Sequence, residues 1–250
     1  MSNSSLVPVN LDLNQLPSTQ FASQEDFDRL GKGAGFLSRL QLYTKGTAVN
    51  KRLIGPGEYG IPEGEDTILV LGDSIDVLPL TRRPKAIDMS DKEAIITSYD
   101  AQSDTFKDIA ARAGGKDSGC MYGISFLVIE RTTGQFLEFF CGTKSTRPEA
   151  GKIAPFLPLS SADIERLAAA GNDVSKMEPH GPLPMTLKSK LVEKGTYSWH
   201  VPIVLKCSTP FSKMPKEADI YAEVAKFVTA RGSEVETEPA PVADTKKRRR

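Results

Sequence analysis

The stretch "ISFLVIERTTGQFLEFFCG", Ile124 to Gly142, leaves this chain little freedom. Two apolar runs, Phe126 to Ile129 and Phe136 to Cys141, surround Thr132-Thr133-Gly134-Gln135. A glycine placed between two such runs supplies the backbone conformation that a tight turn requires, so the spacing predicts a long β-hairpin. Other strand signals accompany it. "FLSRLQLY" (Phe36 to Tyr43) alternates imperfectly before breaking at "TKGT", and "TILVL" and "SIDVLPL" flank Gly72-Asp73. In "YSWHVPIVLKC" the residues Tyr197, Trp199, Val201, Ile203, Leu205 and Cys207 share one face at period two, which reads as the apolar face and leaves His200 exposed on the other. Pro202 has no N–H, which points to an edge strand or a bulge.

Helices are fewer. "SDTFKDIAARAGG" and "SSADIERLAAAGN" each begin with a capping serine and stop at glycine, and "KEADIYAEVAKFVTARG" sets Ile220, Val224, Phe227 and Val228 on one stripe. Strands in irregular succession with interspersed helices favour an α+β fold over a regular βαβ array. The expected architecture is a β-rich core with a few peripheral helices, and an OB-like barrel is one way to build it. Residues 1–25, rich in Ser, Asn, Gln and Pro, read as a flexible arm, residues 26–230 as one domain, and residues 231–250 as a charged tail closing on Lys246 to Arg250.

Charge excludes less than usual, because 32 basic and 32 acidic side chains cancel. Any polyanion site has to come from a local patch. Cys120, Cys141 and Cys207 are odd in number and irregular in spacing, which suits a reducing compartment and neither a disulfide framework nor a metal pair. Cys120 reads as a loop residue, Cys141 and Cys207 as small strand residues. With two histidines besides, no metal-ligand spacing emerges, and neither metal nor cofactor is expected. The first residues lack the basic start and apolar run of a secretory signal, and no stretch is long and apolar enough to cross a bilayer. The expected setting is cytoplasmic.

Two motifs invite a catalytic reading. "GDS" at Gly72 to Ser74 resembles the first block of the lipase-like hydrolases with a GDS(L) nucleophile, and "GND" at Gly171 to Asp173 resembles another of their blocks. The resemblance implies Ser74 as nucleophile. That chemistry needs the serine at a strand-to-helix turn, with backbone amides at the helix start to hold an oxyanion. Here "IDVLPL" follows Ser74 and reads as a second strand, Gly171 reads as a helix stop, and neither His180 nor His200 follows an aspartate by three. "CGTKSTRP" likewise falls short of a P-loop, since Thr143 separates Gly142 from Lys144 and no glycine stands correctly upstream. "GKGAG" lacks a preceding strand. No catalytic residues are assigned.

Basic and aromatic residues interleave in two places. From Phe36 to Tyr59 come Arg39, Tyr43, Lys45, Lys51 and Arg52; from Lys188 to Lys213 come Lys188, Lys190, Lys194, Tyr197, Trp199, His200, Lys206, Phe211 and Lys213 against the single acid Glu193. A sequence-tolerant single-strand binder needs this combination, cations for phosphates and aromatic faces for bases. The site expected from sequence is Tyr43, Lys45, Lys51, Arg52, Lys144, Arg147 and Trp199, with Tyr43 and Trp199 for stacking and the others for phosphate. Against it stands the plain alternative that Tyr197 or Trp199 belongs to the core and the lysines only solvate.

The order "GFLSRLQLY", "LGDSIDVLPLTRRPKAIDM", "KDSGCMYGISFLVIE", "FFCGTKSTRPEA" and "YSWHVPIVLKCSTPF" resembles uncharacterised proteins of tailed bacteriophages and metagenomes over most of residues 33–211. The resemblance implies a domain of a phage-type genome, where a replication accessory protein is a natural candidate, and a host-cell cytoplasm as its setting. It brings no site with it. The function expected is non-enzymatic binding of single-stranded DNA during replication or recombination, with proteins of those processes or a second copy of the chain as further partners. The alternatives are a protein-interaction or virion-associated structural domain and, third, a GDS-type hydrolase.

Overall fold

The computed structural model describes residues 38–207, except 65, 92–93, 114–118, 144–145, 160 and 181. Within them lie nine strands: β1 (Arg39–Leu42), β2 (Tyr59–Pro62), β3 (Ile68–Gly72), β4 (Ser74–Asp88), β5 (Ile96–Ser98), β6 (Cys120–Glu130), β7 (Phe136–Cys141), β8 (Met185–Lys194) and β9 (Tyr197–Lys206). Four α-helices accompany them: α1 (Thr47–Asn50), α2 (Asp104–Arg112), α3 (Arg147–Ile153) and α4 (Ser161–Ala169). The expected amphipathic segment around Ile220 and both charged ends lie outside the described residues.

All strands join one sheet, in the order β3-β2-β1-β7-β6-β4-β8-β9, with β5 on β4. Only β1 with β7 is parallel. The fold is thus α+β, a large mixed sheet with short helices, and its ladders form an open path. The sheet is not a closed barrel, because its path ends at β3 and β9, and nothing in the strand order establishes an OB-like one. β3 at one end does continue into interior strand β4 through Gly72 and Asp73, and the main core draws on both. Leu40, Tyr59, Ile61, Ile75, Val77, Phe126, Val128, Leu137, Phe139 and Leu187 pack there, drawn from strands far apart along the path.

The hairpin read from "ERTTGQF" is β6 and β7, with Gly134 at φ 71° in its turn. Glu130 holds that turn, accepting from the Thr132 and Thr133 amides and the Thr133 hydroxyl at 2.7–2.8 Å. β6 and β7 approach so closely at Gly123 that a Cβ there would overlap the Cys141 carbonyl. β4 is longer than "SIDVLPL" suggests and contains Pro79 and Pro84. Both are tolerated because residues 78–85 pair with β6 alone: β8 stops at Val77 and β5 begins at Ala86. α2 follows its sequence signal: Ser103 caps it by accepting from the Phe106 amide at 3.1 Å, and Phe106, Ile109, Ala110 and Ala113 meet Ala86 and Cys120 of the sheet. Cys120, read as a loop residue, opens β6.

β8 was not evident as a strand in the sequence. It pairs with β9 along its whole length through the two-residue loop Gly195-Thr196, with Gly195 at φ 62° where such hairpin turns place a glycine. The expected face of β9 is reversed. Val204 packs against the core and Pro202 is buried, opposite Leu187 and Ser189, while Tyr197 and Leu205 are exposed and Trp199 is half-buried. His200 is not exposed but half-buried, its ring so close to Gly57 that a Cβ there would collide with it.

β9 is an edge strand, as Pro202 suggested. Ser189, opposite Pro202, gives its N–H to Asp73 on the far side rather than to β9. In an antiparallel ladder both members of such a pair direct their backbone groups away from each other. The nitrogen of Pro202 therefore faces away from β8, on the side that no strand among the described residues pairs, and its missing hydrogen forfeits no ladder bond there.

Candidate nucleic-acid interface

Cross-strand register fixes which side chains share the outward face of the β8–β9 hairpin. Thr186, Lys188, Lys190, Val192 and Lys194 stand opposite Leu205, Ile203, Val201, Trp199 and Tyr197, and directly opposed residues project to the same side. Met185 and Leu187, of the other parity, are buried in the core, which turns the lysine set outward. Lys188, Lys190 and Lys194 are exposed, and Tyr197 is 76% exposed at the hairpin end. Glu193 belongs to the opposite parity, opposite Ser198, so the outward residues of the hairpin carry three cations and no carboxylate.

β4 borders this face. Ser74 pairs with Lys188 and Asp76 with Thr186. The Asp76 carboxylate accepts from the Thr186 hydroxyl at 2.6 Å and from Cys207 Sγ at 3.3 Å, and lies 3.5 Å from Arg131. Its charge is therefore met within the fold and opposes the lysines less than a bare carboxylate would. Ser74 opens a strand, with no helix following, so the amides a GDS-type oxyanion site needs do not converge on it. Gly171 is likewise explained by the end of α4: its amide bonds to Ala168 O and that of Asn172 to Leu167 O, with Gly171 at φ 83°.

The residues expected to bind from sequence are spread over several elements. Tyr43 follows β1, half-buried, its backbone bonded both ways to the Gly57-Glu58 segment, and burial pushes its phenol up. Lys45 is exposed. Lys51 is exposed and bonded to Asp66 at 2.5 Å, which offsets its charge. Arg52 is exposed with φ 59°, in the left-handed region just past α1. Arg147 starts α3 with its guanidinium 4.2 Å above the Tyr122 ring and its Nε on Thr143 O, so it is engaged within the fold. Lys144 lies outside the described residues. Of the expected set, only Trp199 stands on the hairpin face, which it shares with Tyr197 and with Lys188, Lys190 and Lys194, none of them in that set. Their signal was the alternation of "TLKSKLVEK", lysines at period two before a glycine turn.

A second charged cluster is buried. Glu138 accepts from Lys85 Nζ at 2.5 Å, Ser125 Oγ at 2.6 Å and Arg83 at 3.4 Å, with Arg39 at 3.9 Å and the Tyr99 ring 3.4 Å from the Arg83 guanidinium. Burial works against the Glu138 carboxylate, but the Lys85 charge and the Lys85 and Ser125 hydrogen bonds outweigh it and hold the group below its usual range. Lys85 is fully buried, and desolvation outweighs the Glu138 charge and hydrogen bond, so its proton is held less tightly than in a free lysine. The cluster ties β4, β6 and β7 together. Cys141, also buried, has its thiol pushed up to about 12 by burial, which makes it a core residue rather than a nucleophile.

Among the described residues no group of three or more His, Cys, Asp or Glu is placed to hold a metal ion, and no helix is long and apolar enough to cross a membrane. No family model matches the chain, and neither a curated protein nor a solved structure matches it.

Proposed function

We propose that the chain is a non-enzymatic single-stranded DNA-binding protein that coats and protects strands during replication or recombination. The observation that supports this reading is the outward face of the β8–β9 hairpin, where Lys188, Lys190 and Lys194 line one strand and Trp199 and Tyr197 the next, with no carboxylate among them. Cations follow phosphates and aromatic faces stack bases, and a rigid sheet holds both at fixed spacing. Binding is tested by titrating fluorescent oligo-dT at two salt concentrations while following Trp199, the single tryptophan. Three lysine contacts give a log–log salt slope of about −2 for single strands. Changing Lys188, Lys190 and Lys194 together to Gln flattens that slope, whereas Trp199→Ala weakens binding by about 1–3 kcal/mol, roughly five- to 150-fold, and leaves the slope alone. No binding at low salt, or a triple variant that binds like wild type, overturns the reading.

The rival is a protein-interaction surface, favoured by Leu205 and Leu191, which are 43% and 48% exposed on the two sides of the same hairpin. It predicts a stable oligomer or a co-purifying partner and no salt-sensitive DNA binding.

A further inference from the structure

Resting on that reading, we infer that the hairpin face takes an extended, unstacked single strand about four nucleotides long and therefore prefers thymine-rich strands to both adenine-rich strands and duplex. Tyr197 and Trp199 are two residues apart on one side of β9, and the rise of an antiparallel strand puts their Cα atoms about 7 Å apart. Bases in B-form DNA follow one another at about 3.4 Å along each strand. Two successive bases that each lie on one of these rings are separated by about twice that step, so they have left each other's faces. A duplex meets this requirement only by unstacking successive base pairs, at a few kcal/mol per step, and a strand that stacks on itself meets it only by giving up its own stacking. Thymine tracts, whose self-stacking is weakest, give up least.

The lysines set the length. Lys188, Lys190 and Lys194 alternate along β8 on the same face, and from the first to the last the strand rises about 20 Å. At about 7 Å per nucleotide of extended backbone, twice the stacked step, that distance is three steps, or four phosphates, with Val192 at the position between the second and last lysine. Tyr197 is next to the loop and 76% exposed, so the strand can leave over the hairpin end without meeting protein there.

The experiment measures binding of dT8, dA8 and a blunt eight-base-pair hairpin duplex to the full chain at low salt, together with a dT2, dT4 and dT8 length series. Expected are dT8 at least tenfold tighter than dA8 or the duplex, and dT4 within about tenfold of dT8, on which a four-nucleotide site has five registers, while dT2 is lost. Tyr197→Ser, exposed enough to leave the fold intact, and Trp199→Ala each reduce the dT8 preference to within threefold, and Trp199→Phe restores it. Salt-sensitive binding of all three ligands with equal affinity, or affinity that keeps rising steeply from dT4 to dT8, overturns the extended four-nucleotide geometry and leaves single-strand binding standing. Absence of binding to every ligand overturns the underlying reading instead.

Discussion

Changing Glu138 to Gln leaves two buried cations without their carboxylate. Lys85 is 1% exposed, Arg83 3%, and both donate to Glu138, the acceptor they share. Breaking a buried pair from one side costs about 3–5 kcal/mol, because the remaining charge stays out of water with its opposite charge gone. Lys85 can limit that cost by losing its proton: with an ordinary lysine value of about 10.4, neutralising it at pH 7 costs about 4.6 kcal/mol at 1.36 kcal/mol per pH unit. Both routes point to a loss of roughly 3–5 kcal/mol, a large share of the 5–15 kcal/mol typical of a domain. The two costs are close at pH 7 and the cost of neutralisation falls as pH rises, so deprotonation of Lys85 takes over above it and leaves a signature. In the variant the unfolded state binds a proton at Lys85 that the folded state does not, so stability rises with pH, up to about 1.4 kcal/mol per unit between pH 7 and 10. Lys85→Met removes one donor while Glu138 keeps Arg83 and Ser125, and should cost less, about 1.5–3 kcal/mol. Urea denaturation of the three proteins at pH 7, 8 and 9 decides the matter. A loss under 1 kcal/mol for Glu138→Gln, a Lys85→Met variant that loses as much, or a pH-independent deficit would refute the reasoning.

Other perturbations follow from single contacts. Gly123→Ala drives a Cβ into the Cys141 carbonyl across the β6–β7 ladder, and chemical denaturation should show a loss of at least about 2 kcal/mol, or the chain should fail to fold. Asp88 is held well below the usual carboxylate range by hydrogen bonds from Ser90 and Arg112; this stabilisation is present above the unfolded value near 3.9 and lost as pH falls through the folded one, so the Tm advantage over Asp88→Asn should be full at pH 7 and shrink below pH 4. Arg52→Gly relieves a left-handed φ and should raise stability by about 1 kcal/mol in thermal melts; a fall would mean that the Arg52 side chain holds the turn after α1.

Much of the sheet was legible because its strongest signals are local. The β6–β7 hairpin, β4 after Gly72, α2 with its Ser103 cap and the edge position of β9 all follow from turn glycines, a serine cap, period-two patterning and one proline. What failed was non-local. β9 has apolar residues at both parities, and the longer set, Tyr197 to Leu205, reads as core; Leu187 of β8 brings Val204 inward instead, a choice made by a strand whose lysine-rich sequence hid it. The site is non-local too. Composition alone puts Lys188, Lys190 and Lys194 in one segment with Trp199, but only the β8–β9 register shows that they share its face, whereas the charges of Lys51 and Arg147 are employed elsewhere in the fold. Lys85 and Glu138 are 53 residues apart and meet only through the order of β4, β6 and β7.

Pro202 bears on how many copies of this chain can share a small volume. Along β9 the backbone donors of Ser198, His200, Val204 and Lys206 alternate toward the side left unpaired among the described residues, and the proline ring stands at the middle of that row. A second β9 laid alongside would meet a gap and a ring where the central bond belongs, so crowding the protein to high concentration need not turn it into fibres. Pro202→Val supplies the missing donor together with a strand-forming side chain. Its expected cost appears in light scattering, as growing aggregates whose β-sheet signal rises with concentration while the parent solution stays clear.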